Sequence, residues 1–280
     1  MTRPLIAATE RGPAGYLDTG SGSGPGEAAL FLHGVGTSSS LWRGVIDLIG
    51  DERRCVAVDL PLHGRTPAAA SYELGETADF VAAFCESLGL TGIDLVANDT
   101  GGAIAQIFAA RRPELLRSFT LTNCDTIGNI PPRLFAPAVW LARARLLVPL
   151  QRAFLRDPRR ARKVLYGPGL ENVEALPIAL VAEWLAPLSG GRAREAERWM
   201  AAIRPRDLVA VQPQLATLDV PTQLVWGTGD AFFARSWAYE LMNLIPGARE
   251  VIEVPGARLF FPAERPAELA EPLLRFWKTL

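Results

Sequence analysis

The chain has 280 residues, is 49% hydrophobic and 21% charged, and carries a net charge of −1. That balance fits a globular protein with a substantial core, excludes disorder, and gives no general attraction to nucleic acid or to acidic membranes. The N-terminal stretch "MTRPLIAATERGPAG" lacks the apolar region of a signal peptide, and no apolar run reaches the length of a bilayer span. Cys55, Cys85 and Cys124 are too few and too scattered for a disulfide framework or a zinc site. The expectation is a cytoplasmic protein with a small-molecule ligand, monomeric or homodimeric, without a nucleic-acid or membrane partner.

The first twenty residues can supply an antiparallel hairpin at one sheet edge. "AALFLHG" (28–34) reads as a buried strand ending in a turn, and "SSLWRGVIDLIG" (39–50) has helical spacing. "RCVAVDLP" (54–61) is a second buried strand, and "ELGETADFVAAFCESLGL" (73–90) an amphipathic helix. "GIDLVAND" (92–99) is a strand running straight into the helix "TGGAIAQIFAARRP" (100–113), which Pro113 stops. "LRSFTLTNCD" (116–125), "PTQLVWGTGD" (221–230) and "REVIEVPG" (249–256) are further strands, the last two each followed by a helix. Strands with continuous apolar runs, alternating with helices, predict a mostly parallel, doubly wound α/β sheet covered on both faces.

Residues 128–215 break that rhythm. They hold helical patterns and proline breaks with no strand, so they read as a helical cap inserted into a core formed by 1–127 and 216–280. Such an insertion sits over the C-terminal edge of the strands, where these sheets bind ligands. The basic cluster Arg156, Arg159, Arg160, Arg162 and Lys163 falls in the cap and reads as a solvated helix face rather than an anion site.

The most informative stretch is "LVANDTGG" (95–102). Ala97, Asp99 and Gly101 fit a nucleophile elbow, a sharp strand-to-helix turn that needs small residues two positions either side of the exposed central side chain. The central residue is Asp99 rather than serine. Taken alone, an aspartate capping an ordinary helix is a serious rival. The wider pattern favours the elbow. "HGVGTSSSLWR" (33–43) follows one strand, "DLPLHGRT" (59–66) the next, and "VWGTGDAFF" (225–233) puts Asp230 just past a late strand.

In this order the motifs resemble the α/β-hydrolase superfamily, and the His-Gly, "TSSxLWR" and aspartate elbow resemble its haloalkane dehalogenase and epoxide hydrolase branch. The resemblance covers nearly the whole chain. It implies an α/β-hydrolase fold, Asp99 as a nucleophile that forms an alkyl ester, and an oxyanion hole made by the N–H groups of Val35 and Thr100. It also implies Asp230 as the acid that orients a catalytic histidine.

That histidine is missing. The branch ends in a pattern resembling G-x-x-H-x-x-x-x-E-x-P, which Gly256, Glu264 and Pro266 match, with Leu259 at the histidine position. His33 and His63 are the two histidines of the chain, and both occupy structural positions by the resemblance; His63 as a substitute base is a minor reading. Dehalogenases hold halide with an asparagine and a tryptophan where this chain has Val35 and Thr100, and epoxide hydrolases use two cap tyrosines where 128–215 offers Tyr166 alone.

Without an imidazole, an Asp99 ester loses a general base worth roughly 10²–10⁴-fold in its hydrolysis. A second chemistry uses carboxyls only. If Asp99, Asp125 and Asp230 share one apolar cavity, one is held protonated, giving an acid and a base for dehydration, isomerisation or cyclisation. Asp125 as a simple turn residue is an equal alternative, and Cys124 reads as a small apolar filler. The pocket is expected to involve His33, Asn98, Trp226, Phe232, Phe233, Leu259 and Phe260. Leucine in place of histidine makes it more apolar, which raises the Asp99 pKa and favours a neutral, largely apolar substrate. No metal or cofactor is expected. A non-catalytic binding protein that kept the fold is the remaining reading.

Overall fold

The computed structural model describes residues 3–20, 28–149 and 156–280. Among the described residues eight strands form one sheet: β1 (Arg3–Thr9), β2 (Gly12–Asp18), β3 (Ala29–Leu32), β4 (Cys55–Val58), β5 (Ile93–Asp99), β6 (Leu116–Cys124), β7 (Thr222–Gly227) and β8 (Ala248–Val254). Their spatial order is β1-β2-β4-β3-β5-β6-β7-β8. The N-terminal hairpin joins antiparallel through β2 to β4, and every later pairing is parallel. The expected fold class, an α/β-hydrolase-type parallel sheet with an edge hairpin, is what the chain adopts.

The apolar runs explain the layering. All residues of β3 and β4 are buried, as are the first six of β5, so side chains on both sheet faces must be covered. The main core helices are α1 (Arg43–Ile49), α2 (Leu74–Ser87) and α3 (Thr100–Arg111). The next, α4 (Ala136–Arg143), comes after β6 and begins the insertion, which also holds α5 (Ile178–Leu185) and α6 (Ala193–Ala202). The chain then returns to the core through β7, α7 (Ser236–Leu244), β8 and α8 (Ala267–Trp277). Contacts join α1 to α8 and α2 to α3. Among the described residues no helix is long and apolar enough to cross a membrane.

The described residues between β6 and β7 contain helices and turns but no strand. Hydrogen bonds fasten this segment to the core. Trp184 Nε1 donates to Ser40 Oγ at 2.9 Å, the Tyr166 hydroxyl to the Gly36 carbonyl at 2.6 Å, and Phe260 N to the Gly169 carbonyl at 2.9 Å. Arg43 pairs with Glu183 at 3.0 Å. Of the basic cluster, Arg156, Arg159, Arg160 and Lys163 are exposed. Arg162 departs from the expected solvated face: it is buried and donates to the Leu176 carbonyl at 3.2 Å and to Glu174, tying two cap segments together.

The order of strands reverses direction at β3, which pairs with the earlier-placed β4 on one side and with β5 on the other. The crevice outside the C-terminal ends of such strands is where α/β sheets place ligands. The loop after β3 and the turn after β5 therefore face each other under the inserted helices.

Candidate active site

Asp99 ends β5, and α3 starts at the next residue. Its backbone lies at φ 57° and ψ −137°, a conformation that L residues rarely adopt and that the surrounding chain must impose. The small residues around it make the turn possible. A Cβ on Gly34 would lie 2.3 Å from Asp99 Cβ, and one on Gly101 would lie 2.2 Å from the His33 carbonyl oxygen. Neither distance is sterically possible, so the loop after β3 packs against the elbow only because both positions are glycine.

The backbone N–H groups of Thr100 and Val35, the two positions expected as an oxyanion hole, act on the Asp99 carboxyl and favour its ionised form. Burial outweighs that effect, and the negative Asp230 opposes ionisation further. Together they push Asp99 up to about 7. Asp99 retains some accessible surface, and that surface is cavity wall.

The cavity measures about 150 Å³, a size known to hold a benzene-sized molecule when the walls are apolar. Val35, Thr100, Phe232, Phe233, Leu259 and Phe260 line it from the core, together with Asp99 and Asp125. The inserted segment supplies Phe135, Tyr166, Leu188, Trp199, Met200 and Ile203 to its roof. No lysine or arginine lies on this wall among the described residues.

Asp125 follows β6, where Cys124 pairs with Asp99 across the sheet. Its N–H donates to the Asp99 carbonyl at 3.3 Å, and its own carbonyl accepts from Gln106 Nε2 at 2.8 Å. The side chain is wholly buried, and neither carboxyl oxygen has a hydrogen-bond partner among the described residues. The Thr100 hydroxyl lies near enough to favour ionisation slightly but not in hydrogen-bonding geometry. Burial, reinforced by the Asp99 charge, holds the Asp125 carboxyl well above the usual carboxylate range. Cys124 is buried beneath Gly102, its thiol pushed well up by burial, as befits an apolar filler.

Asp230 is not on the cavity wall. Its Oδ1 accepts Phe232 N at 2.7 Å and Phe233 N at 3.4 Å, and its Oδ2 accepts Asn123 Nδ2 at 2.9 Å. The three carboxyls expected to converge therefore do not all face one cavity: Asp99 and Asp125 border it, and Asp230 is turned into its own loop.

Three residues expected in the pocket also lie outside it. Asn98 points under the strands, its Nδ2 donating to the carbonyls of Thr122 at 3.2 Å and Leu259 at 3.1 Å, because alternate residues of β5 face opposite sides of the sheet. His33 is fully buried in the loop after β3, where Nε2 accepts Leu60 N at 3.0 Å and Nδ1 donates to the Gly34 carbonyl at 2.9 Å. Trp226 lies behind the wall and donates Nε1 to the Phe233 carbonyl at 2.8 Å. Phe232, Phe233, Leu259 and Phe260 do reach the cavity.

His63, in contrast, lies on the wall, a placement its motif alone did not suggest. Both its nitrogens are engaged: Nε2 accepts Gly36 N at 3.2 Å, and Nδ1 donates to the Pro61 carbonyl at 3.1 Å. Burial lowers it to about 3, and it lowers His33 to about 4. Neither imidazole has a nitrogen free to take a proton. The Tyr166 hydroxyl is likewise committed to Gly36. Apart from Tyr166, the roof residues went unnamed in the sequence, although Ala193, Ala196, Trp199 and Met200 form an apolar stripe at helical spacing on α6 that signals a packed inner face.

Comparison with known proteins agrees with this geometry. A family profile described as the alpha/beta hydrolase fold matches residues 29–264. Haloalkane dehalogenase 2 of Mycobacterium bovis is 27% identical over 282 residues, which covers 95% of this chain and 92% of the relative. The crystal structure of haloalkane dehalogenase DbeA from Bradyrhizobium elkani superposes with a TM-score of 0.82 at 22% identity, covering 100% of both chains. The epoxide hydrolase CorEH superposes with a TM-score of 0.82 at 18% identity, covering 100% of this chain and 99% of that one. Elbow, sheet order, inserted helices and profile together establish that this chain belongs to the alpha/beta hydrolase fold family and is similar to its haloalkane dehalogenase-like and epoxide hydrolase-like members.

Proposed function

We propose that this protein is an enzyme acting on a small, neutral, largely apolar organic molecule, with Asp99 serving as general acid and base. One observation carries the reading. Of the ionisable side chains on the cavity wall among the described residues, His63, Asp125 and Tyr166 are buried, and Asp99 is the one with appreciable surface turned to a ligand. A catalytic group works best when its pKa lies near the working pH, and about 7 meets that condition for proton transfer. Burial pushes the Asp125 carboxyl behind it well up as well, which disfavours a second negative charge and suits an uncharged ligand.

The chemistry is then a proton relay. Asp99 takes a proton from a carbon next to a carbonyl and returns it to another atom of the same molecule. The same cycle serves isomerisation, cyclisation, or loss of water when the returned proton leaves with a hydroxyl. A direct test uses cyclohexanone as a probe in deuterium oxide, following α-proton exchange by NMR. Exchange accelerated by the protein and lost in Asp99→Asn is expected. Equal exchange with wild type and variant, across cyclic ketones of five to seven ring atoms, overturns the acid–base reading.

A second reading takes Asp99 as a nucleophile. It is supported by the Val35 and Thr100 N–H groups on the carboxyl and by the dehalogenase relatives. With no free imidazole, the alkyl ester persists. Intact-mass measurement after exposure to bromoalkanes or epoxides then shows a stable adduct absent in Asp99→Asn. A protein that forms no adduct, exchanges no proton, and binds a probe as tightly as its Asp99→Asn variant does is a binding protein only.

A further inference from the structure

Asp230 stands where the resemblance puts an acid that orients a histidine, yet the chain has Leu259 at the histidine position. A carboxylate kept without that partner needs another reason. The loop it anchors supplies one. Phe232 and Phe233 follow it closely, and both line the cavity. Their two N–H groups are held by one oxygen of Asp230, at 2.7 and 3.4 Å. Their two carbonyls are held from other elements: Asn129 Nδ2 donates to Phe232 O at 2.9 Å, and Trp226 Nε1 donates to Phe233 O at 2.8 Å. The second oxygen of Asp230 accepts from Asn123. The Asn123 side chain in turn accepts Gly227 N at 2.7 Å and donates to Gly227 O at 3.0 Å. All four backbone polar groups of the two phenylalanines are thus fixed, and the carboxylate is the group that joins their N–H pair to the end of β7 and to β6 through Asn123.

We propose that Asp230 is a specificity-determining positioning residue, whose carboxylate sets the Phe232–Phe233 wall and so the length and shape of ligand the cavity accepts. It touches no ligand; it acts through the two aromatic side chains. Rigid first contacts are held by hydrogen bonds behind them, and a wall misplaced by even about 1 Å changes what fits. With a cavity of about 150 Å³, such a shift separates one-ring from two-ring ligands. The inference rests on the cavity being the binding site, and not on which chemistry Asp99 performs.

Binding of toluene and of naphthalene as probes, measured by ligand-observed NMR on the full chain, tests it. Wild type is expected to prefer toluene. Asp230→Ala, which frees the Phe232 and Phe233 N–H groups, is expected to shift the toluene-to-naphthalene affinity ratio by roughly tenfold toward naphthalene, equivalent to about 1.4 kcal/mol. Asp230→Asn, which keeps an oxygen for those N–H groups, is expected to hold the ratio within about threefold of wild type. A purely structural role lowers the melting temperature of both variants without moving the ratio. Folded Asp230→Ala with the wild-type ratio overturns the proposal, and so does a ratio shift as large in Asp230→Asn as in Asp230→Ala. If Asp230→Ala does not fold, Asp230→Val serves: it likewise leaves the Phe232 and Phe233 N–H groups without an acceptor while filling more of the space, and an unchanged ratio there also overturns the proposal. Probes that bind wild type and Phe232→Ala with equal affinity locate binding outside the cavity, which refutes the site assignment as well.

Discussion

Replacing Asp99 by asparagine is expected to stabilise the protein at neutral pH, by an amount that follows from the site. Asparagine keeps the shape of the side chain and tolerates the positive φ of the elbow better than most residues. The Asp99 carboxyl ionises at 3.8 in an ordinary setting and at about 7 in the fold. Below about pH 4 both folded and unfolded chains carry the proton, and the group costs nothing. As pH rises from about 4 to about 7, the unfolded chain releases the proton while the folded one keeps it, so stability is lost; above about 7 the loss is complete. A gap of about 3 pH units is worth roughly 4 kcal/mol at 1.36 kcal/mol per unit. The two buried imidazoles act with the opposite sign. Their folded values, about 4 for His33 and about 3 for His63, lie below the usual 6.5, so their contribution is present above about 6.5 and lost as pH falls. The wild-type profile mixes these opposing contributions with those of Asp125 and Asp230, whose carboxyls burial also pushes up, so the difference between the variant and wild type is the quantity that reports on Asp99. Urea unfolding of both proteins from pH 4 to pH 8 is the assay. The gap is expected to be near zero at pH 4 and to open to roughly 4 kcal/mol in favour of Asp99→Asn by pH 8. Parallel stability curves, with a gap independent of pH, refute the claim that burial of this carboxyl is what raises it.

Three further outcomes follow from the same geometry. Asp125→Leu removes a buried carboxyl with two unpartnered oxygens and is expected to gain about 1–3 kcal/mol in urea unfolding, while any exchange activity at Asp99 changes its pH profile. Gly101→Ala sets a methyl group against the His33 carbonyl, a backbone atom that cannot move aside, and is expected to lose about 1–3 kcal/mol or more, read as a lowered melting temperature. Leu259→His places an imidazole on the cavity wall on a backbone already fixed by Asn98. If an Asp99 adduct has been formed, its breakdown followed by intact mass is expected to quicken by roughly 10²–10⁴-fold.

The elements were readable because each local signal agreed with the fold. The continuous apolar runs of β3, β4 and β5 announced strands covered on both faces, and glycine at 101 announced the elbow. The residues lining the site were readable only where sequence adjacency carried them. Asp99, Thr100, Phe232 and Phe233 lie at or just past the ends of strands, so β5 and β7 deliver them to the cavity. Asn98 and Trp226 lie within the strands, and the alternation of side chains sends them elsewhere. His63 could not be placed from its motif, since whether its ring faced a ligand depended on how the loop after β4 folded against Gly36.

By itself the sequence determined the fold class, the elbow and the aspartate at its tip, because these are set by residue types at short, fixed spacings. Only the tertiary structure decided what the carboxyls do. Asp125 came to lie buried and unpartnered beside Asp99 because β5 and β6 pair, Asp230 turned to the Phe232–Phe233 loop because Asn123 meets it from across the sheet, and the inserted helices closed an apolar roof over Asp99. Ionisation depends on burial and on neighbouring charge, and both are properties of packing between segments far apart in the chain.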